Sequence, residues 1–262
     1  MMRKIFAGFK YALATLAAVF TGEETNAQNR LTTHNTIGWY NTFHTVKLND
    51  KWAILGEYQW RRAHLVTDWQ QSLLRVGVQR NITKDISVLA GYGWIETFPY
   101  GDYPPAAGQP FPEHRIYEQL VINDVHGRVA FNHRFRYEQR WLGILDATVP
   151  ADEKRDITDW QFLQRVRYQF RTQIALNKPT MSDNTLYANL YDELFIGFGG
   201  QILMNVFDQN RVGILAGYRF NKRFSVEAGY LNQIVQQARL VNNMPVYQRN
   251  NGLVINTIFN WN

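Results

Sequence analysis

Cysteine is missing from the 262 residues of this chain. A small secreted domain stapled by disulfides is therefore excluded. After residue 27 the chain also lacks any run of about 20 apolar residues, the length that a membrane-spanning helix needs. These two absences favour a fold that is closed by its own backbone hydrogen bonds.

The N-terminus resembles a secretory signal peptide. A basic start and a mostly apolar run, Ile5–Phe20, are followed by the small residues of a cleavage site at Thr25-Asn26-Ala27. The run is short and contains Lys10, which disfavours a membrane anchor. We predict a signal peptide over residues 1–27 and one mature domain over residues 28–262.

Charge and aromatic content narrow the class of protein further. The formal net charge is +6, and loss of the predicted signal peptide, with three basic and two acidic residues, leaves +5. Nucleic acid is not an expected partner of an exported chain, so a basic lumen or contact with anionic lipid explains the charge better. Aromatic residues make up 15% of the chain although its mean hydropathy is negative. This mixture is typical of an outer-membrane β-barrel.

Two neighbouring segments, Arg128–Leu142 and Asp159–Leu176, show regular alternation. In the first, arginines and other polar residues mostly take even positions and aromatic residues take odd ones, and the second reverses the parity. Because successive side chains of a strand point to opposite faces, each segment has a charged face and an aromatic face. The arginines of neighbouring strands would then face one another, which is costly unless carboxylates or anions lie between them.

Eleven segments of the mature chain are predicted to be strands: 31–47, 52–65, 69–80, 86–97, 113–124, 128–142, 158–175, 185–198, 209–220, 224–237 and 247–261. Tight turns at 49–51, 81–85, 125–127 and 221–223 alternate with long loops at 98–112, 143–157 and 238–246. This layout predicts an all-β fold, a single antiparallel transmembrane β-barrel of about 10–12 strands with short periplasmic turns and longer extracellular loops. Bacterial single-chain barrels normally have an even strand number, so ten or twelve strands are expected, and twelve is favoured. The first segment and residues 199–208 are the places where a strand could have been miscounted.

Arginine dominates the face that the alternation turns toward the lumen. The predicted lumen charges are Glu57, Arg61, Arg75, Arg115, Arg134, Arg136, Glu138, Arg140, Arg165, Arg167, Arg171, Glu193, Arg211 and Glu227. One interpretation is a structural network of arginine–carboxylate pairs that fills a closed barrel, which would serve a structural or surface-binding role. The other is a narrow porin-like channel that passes anions or small solutes. Arginines outnumber the carboxylates, so pairwise neutralisation would be incomplete.

Tryptophans lie near the predicted strand ends. We predict that an interfacial girdle is formed by Trp52, Trp60, Trp69, Trp94, Trp141, Trp160 and Trp261. The last segment, Leu253–Trp261, resembles the aromatic-ended strand that outer-membrane assembly machinery recognises. Outer-membrane lipid and that machinery are therefore the expected partners.

The tripeptide Ala-Gly-Tyr occurs three times, at 90–92, 216–218 and 228–230. Alternation places its Ala and Tyr on the lipid side and its Gly on the lumen side. We expect each glycine to leave room for a large inward neighbour such as arginine.

Signals for catalysis are weak. The six histidines are scattered without metal-ligand spacing, no serine lies in a Gly-x-Ser-x-Gly setting, and no phosphate loop is present. No metal and no cofactor are predicted. A lipid-modifying outer-membrane enzyme stays an alternative, and it would need a Ser or Asp beside a His at the outer rim.

The chain resembles a family of Gram-negative outer-membrane barrels of unknown function that is common in Bacteroidota. The resemblance rests on Glu57…Arg61, Arg75-Val76-Gly77, Ala90-Gly91-Tyr92, Glu113-His114-Arg115…Gln119, Arg134-Phe135-Arg136-Tyr137-Glu138-Gln139-Arg140, Arg165-Val166-Arg167, Glu193-Leu194-Phe195 and Arg211-Val212-Gly213…Gly217-Tyr218. It implies a membrane barrel in the outer membrane and supplies no activity and no site.

Overall fold

The computed structural model describes residues 30–105, 107–150 and 152–261. The predicted signal peptide lies outside the described residues. Within these ranges the chain has eleven strands and no helix, and thus none long and apolar enough to cross a membrane. The strands are β1 (Leu31–Lys47), β2 (Trp52–Ala63), β3 (Asp68–Asn81), β4 (Ile86–Thr97), β5 (Phe111–His126), β6 (Val129–Leu145), β7 (Ile157–Ala175), β8 (Thr185–Phe198), β9 (Phe207–Asn221), β10 (Phe224–Val241) and β11 (Met244–Trp261).

The strands form one closed barrel. Each pairs antiparallel with the next, and β1 closes against β11 in parallel, with Leu31 opposite Val246 and Val46 opposite Trp261. The prediction of an all-β barrel is confirmed, whereas the favoured number of twelve strands is wrong. The first predicted segment is one uninterrupted strand, and residues 199–206 connect β8 to β9. A parallel closure needs no turn between its two strands, so no local sequence signal marks it.

The two ends of the barrel differ in their connections. The turn end carries the connections 48–51, 82–85, 127–128, 176–184 and 222–223, and the loop end carries 64–67, 98–110, 146–156, 199–206 and 242–243. The prediction of a long loop at 238–246 is wrong. There β10 and β11 continue to a two-residue turn, Asn242-Asn243, whose φ angles of 52° and 60° are those of a twist-matched hairpin.

Apolar side chains cover the outside of the barrel wall. Leu74, Val76, Ile116 and Phe135 are all exposed, whereas Arg75, Arg115, Arg136 and Glu138 of the same strands are buried inside. A soluble protein has the reverse arrangement, because exposed apolar surface is unfavourable in water. The exposed outer face of the barrel wall is thus largely apolar.

The inward glycines of the Ala-Gly-Tyr repeats accommodate tyrosines and backbone rather than arginine, which corrects the prediction. A Cβ on Gly91 would lie 2.6 Å from the ring of Tyr117, and one on Gly217 would lie 2.3 Å from the ring of Tyr187. Gly229 instead lies against the backbone of β9. Tyrosine rings therefore lie flat along the inner wall and fill space beside the charged side chains.

Candidate functional site in the barrel lumen

The fourteen predicted lumen charges all point into the barrel, and most are buried. Glu138 has no exposed surface, and the side chains of Arg134 and Arg171 keep 23% and 27% of theirs. The alternation of each strand produces this arrangement, since the polar face is directed inward wherever the aromatic face is directed outward. Burial of so many charges requires specific partners.

Glu138 on β6 is the centre of the network. Its carboxylate accepts hydrogen bonds from Arg167 Nη1 at 2.6 Å, from Arg165 Nε at 3.0 Å and from Arg115 Nη1 at 3.4 Å. Arg136 and Arg167 stand directly opposite each other on β6 and β7, and Glu138 lies within 3.8 Å of both guanidinium groups. The like charges that the sequence places across these strands are therefore bridged by a carboxylate.

Three further predicted carboxylates extend the network. Glu193 accepts from Arg134 and from Arg167, with distances of 2.7 and 2.6 Å to Nη2. Glu57 accepts from Arg75 Nη1 at 2.9 Å. Glu227 pairs with Arg171 and also accepts from the Tyr187 hydroxyl at 3.0 Å. Each of these carboxylates lies on a different strand from its partners, so strand register determines the pairing.

Two carboxylates of the network were missing from the predicted set. Glu113 on β5 accepts from Arg140 Nε and Nη2 at 2.7 and 2.9 Å and also pairs with Arg115. Asp208 on β9 pairs with Arg165. Glu113 has the same parity as Arg115, so the sequence contained its signal. Asp208 is the extra residue at a register shift between β8 and β9, which lets its side chain point inward beside that of Gln209, and no alternation predicts that.

We call these contacts the paired side: Glu113, Glu138, Glu193 and Asp208 with Arg115, Arg134, Arg136, Arg140, Arg165 and Arg167. The amide side is the second group, in which Arg61 and Arg211 contact Gln59, Gln71 and Gln209. Phe195 stands between the two sides. Its fully buried ring lies 4.3 Å from the guanidinium carbon of Arg167 and 4.5 Å from that of Arg211.

Neutral groups surround the two arginines of the amide side. Arg61 donates from Nη1 to Gln71 Oε1 at 2.6 Å and from Nε to Gln59 Oε1 at 2.8 Å. Arg211 donates from Nε to Gln209 Oε1 at 3.1 Å. Both guanidinium groups lie over the ring of Trp39, with centroid distances of 3.9 and 4.8 Å. Trp39 is the tryptophan that points inward, and it was not among the predicted lumen residues.

An apolar cluster continues the amide side across β1, β9, β10 and β11. It consists of Ile37, Trp39, Leu215, Leu231 and Val254, all nearly inaccessible. Gly252 lets β11 approach β1 closely there, since a Cβ at this position would lie 1.7 Å from the carbonyl oxygen of Ile37. The cluster lies on β1 and β9–β11, whereas the residues of the paired side come from β5–β9.

A cavity of about 300 Å³ lies in the loop-end part of the lumen. Arginines of both sides line it, together with the amides of Gln70, Gln71, Gln209, Gln233 and Gln248. The carboxylates that line it are Glu113 and Asp208, both of the paired side. The cavity wall is therefore strongly cationic and otherwise rich in amides.

The connection between β4 and β5 forms a lid over this cavity. Its Tyr100 hydroxyl donates to Gln248 Oε1 at 3.2 Å and accepts from Asn250, and its Tyr103 carbonyl accepts from Gln237 and Gln248. The glutamines and the asparagine in these hydrogen bonds belong to β10 and β11, across the loop-end opening of the barrel from β4 and β5. Burial raises the pKa of Tyr100, so its hydroxyl keeps the proton that it donates.

The predicted girdle tryptophans lie on the outer face, in two groups. Trp60, Trp69, Trp94, Trp141 and Trp160 are near the loop end, while Trp52 and Trp261 are near the turn end. Trp69 contacts both Trp60 and Phe98, at centroid distances of 6.2 and 5.2 Å. At the turn end, Trp261 stacks with Phe259 and His44. Their membrane role stays a prediction.

Histidine–carboxylate pairs occur at both rims. His64 Nδ1 lies 2.7 Å from Asp68 at the loop end, and His126 Nε2 lies 2.8 Å from Asp124 at the turn end. Both pairs are well exposed, and the hydroxyl that reaches either carboxylate is that of Thr67, 3.4 Å from Asp68. No group of three metal-ligating side chains is present in the described part of the chain.

Comparison with known proteins identifies the family. The model of the family described as "Protein of unknown function (DUF2490)" matches residues 36–244. The chain belongs to this family. The match begins within β1 and ends at the first residue of β11, so it includes β2–β10 and both sides of the lumen. No curated protein and no solved structure gives a significant match.

Proposed function

We propose that this member of the family is an integral outer-membrane β-barrel whose lumen is closed, and that it acts as a binding barrel rather than as an open channel. The observation that carries the proposal is the burial of the network around Glu138. Glu138, Glu113 and Glu193 are at most 3% exposed, and Arg115, Arg136, Arg165 and Arg167 at most 6%. Side chains that line a water-filled pore would be exposed to solvent.

The outer surface supports a membrane location. Apolar residues cover the wall, and tryptophans are concentrated toward the two ends, which is the pattern of aromatic girdles at lipid–water interfaces. The basic net charge suits anionic head groups. An exported chain from a Gram-negative bacterium, as the resemblance to Bacteroidota barrels implies, would enter the outer membrane with the help of the assembly machinery that reads its last strand.

Membrane insertion can be tested with two single-tryptophan variants of the barrel, reconstituted into vesicles of brominated lipid. Fluorescence of a variant that keeps only Trp94 should be strongly quenched, since Trp94 is 47% exposed on the outer face. Fluorescence of a variant that keeps only Trp39, which is 4% exposed inside, should be quenched weakly. Equal quenching of the two, or quenching of neither, would contradict insertion in this orientation.

Lumen closure can be tested by recording from the same reconstituted protein in planar bilayers. We expect no stable conductance steps from preparations that migrate as folded barrels on unheated gels. Reproducible steps would overturn the closed lumen.

An anion-preferring channel is the second candidate, and the arginine excess favours it. The ten predicted lumen arginines face six carboxylates even when Glu113 and Asp208 are counted. Such a channel predicts conductance with a reversal potential shifted toward that of chloride under a salt gradient. The recordings therefore separate the two candidates.

A further inference from the structure

The amide side contains two buried arginines whose hydrogen bonds within the described residues all go to glutamine amides and none to a carboxylate. Among the described residues, no carboxylate lies within 4.0 Å of Arg61, and the nearest to Arg211 is Glu193 Oε2, at 4.0 Å from Nη1. Yet Arg61 is only 3% and Arg211 only 8% exposed. A buried guanidinium without an opposite charge is costly, and neutral amides offset only part of that cost. The amide side is therefore incomplete as an ion network.

Both arginines line the loop-end cavity, where Arg61 donates to Gln59 and Gln71 and no carboxylate of the described chain accepts from it. Within the described residues Arg211 donates one hydrogen bond, through Nε, and its Nη1 lies 4.0 Å from Glu193, so both Nη groups keep donors for a ligand in the cavity. Stacking on Trp39 fixes the orientation of both planes. Amides of the same cavity, such as Gln233 and Gln248, provide donors and acceptors for a polar ligand.

We propose that the loop-end cavity binds a small soluble oxyanion, a carboxylate or phosphate group on a polar body, between Arg61 and Arg211. The planar forks of guanidinium groups match the oxygens of carboxylates and phosphates. A volume of about 300 Å³ has the size of a small-molecule site, and the lid and barrel wall separate it from lipid. The inference rests on the proposed closed lumen, because a closed lumen retains the anion instead of passing it.

The test is calorimetric titration of the folded barrel in detergent with inorganic phosphate and with succinate. We expect one saturable site for at least one of these oxyanions, with chloride and glucose binding at least about 10-fold more weakly, as expected for loss of a charge-assisted hydrogen bond. Equal affinity for chloride, or no saturable binding of either oxyanion, would overturn the proposal.

Three variants locate the site. Arg61→Gln and Arg211→Gln should each weaken binding at least about 10-fold. The matched control is Arg140→Gln, which removes the same charge from the wall of the same cavity but on the paired side, where Arg140 bonds Glu113. We expect a loss of less than about 3-fold there. If all three variants lose the same affinity, the oxyanion responds to the total positive charge of the cavity, and a specific site between Arg61 and Arg211 is contradicted.

A fourth variant adds an internal anion without removing an arginine. Gln71 Oε1 accepts from Arg61, and Gln71 Nε2 donates to the Thr97 hydroxyl, which can also donate. Gln71→Glu should therefore give Arg61 its own carboxylate, weaken oxyanion binding at least about 10-fold and keep or raise the midpoint of unfolding. Unchanged binding in this folded variant would overturn the proposal. Because the titrations use no bilayer, conductance of the wild-type protein would refute the closed lumen without affecting them.

Discussion

The arginines of the paired side and those of the amide side contact different kinds of partner in the same lumen. On the paired side each guanidinium lies within 3.8 Å of a carboxylate, and Glu138 alone serves Arg115, Arg136, Arg165 and Arg167. On the amide side, Arg61 and Arg211 donate to glutamines and stack on Trp39. On the paired side every arginine has a carboxylate nearby, although Arg134 Nε and Arg136 Nη1 are buried without a hydrogen-bond partner among the described residues. On the amide side neither arginine donates a hydrogen bond to a carboxylate of the described chain.

The arginines of the paired side therefore fit a structural role, whereas those of the amide side fit the proposed binding role. Removal of one partner from a buried charge network leaves an uncompensated charge, which is costly. Arginines among neutral amides tolerate the gain and loss of an anion better, since no carboxylate in the described part of the protein accepts a hydrogen bond from them. Three substitutions test this contrast through stability, each measured by urea unfolding of the barrel in detergent followed by tryptophan fluorescence.

Glu138→Gln should have the largest effect. It leaves Arg115, Arg165 and Arg167 buried without their shared carboxylate, and loss of a buried partner of this kind costs about 3–5 kcal/mol. Glu118→Gln makes the same chemical change on the exposed outer face of β5, where we expect less than about 0.5 kcal/mol. Similar losses in the two variants would contradict a self-contained paired side.

Gly217→Ala, on β9 and outside the two sides, should have an intermediate effect. The new Cβ would lie 2.3 Å from the ring of Tyr187, whose hydroxyl donates to Glu227. Overpacking of this kind costs about 1–3 kcal/mol. The control is Gly200→Ala in the β8–β9 connection, where a Cβ meets nothing within 4 Å. If Gly217→Ala is as stable as the control, the tyrosine does not depend on the glycine.

Arg61→Gln should have the smallest effect on stability, about 1 kcal/mol, in buffer that contains no oxyanion. The change removes hydrogen bonds and the stacking on Trp39, but it leaves neutral amides behind rather than a charge. A loss as large as that of Glu138→Gln would mean that Arg61 belongs to the structural network and would remove the contrast between the two sides.

Most of the architecture could be predicted from local patterns. The alternation in β6 and β7 gave both faces of these strands, and all eleven predicted segments begin within three residues of the observed strands. Glu113 shared the parity of Arg115 and was overlooked. Asp208 and the extended β10–β11 hairpin could not be predicted from alternation, since both follow shifts of register.

By itself the sequence determined which residues share a face, because the direction of a side chain in a strand depends only on its position in the alternation. This information was sufficient to predict an arginine-rich lumen and an apolar outer wall. The tertiary structure alone decided the parallel closure of β1 on β11, the convergence of four arginines on Glu138 and the placement of Arg61 and Arg211 over Trp39. These features depend on register between distant strands, which no local pattern contains.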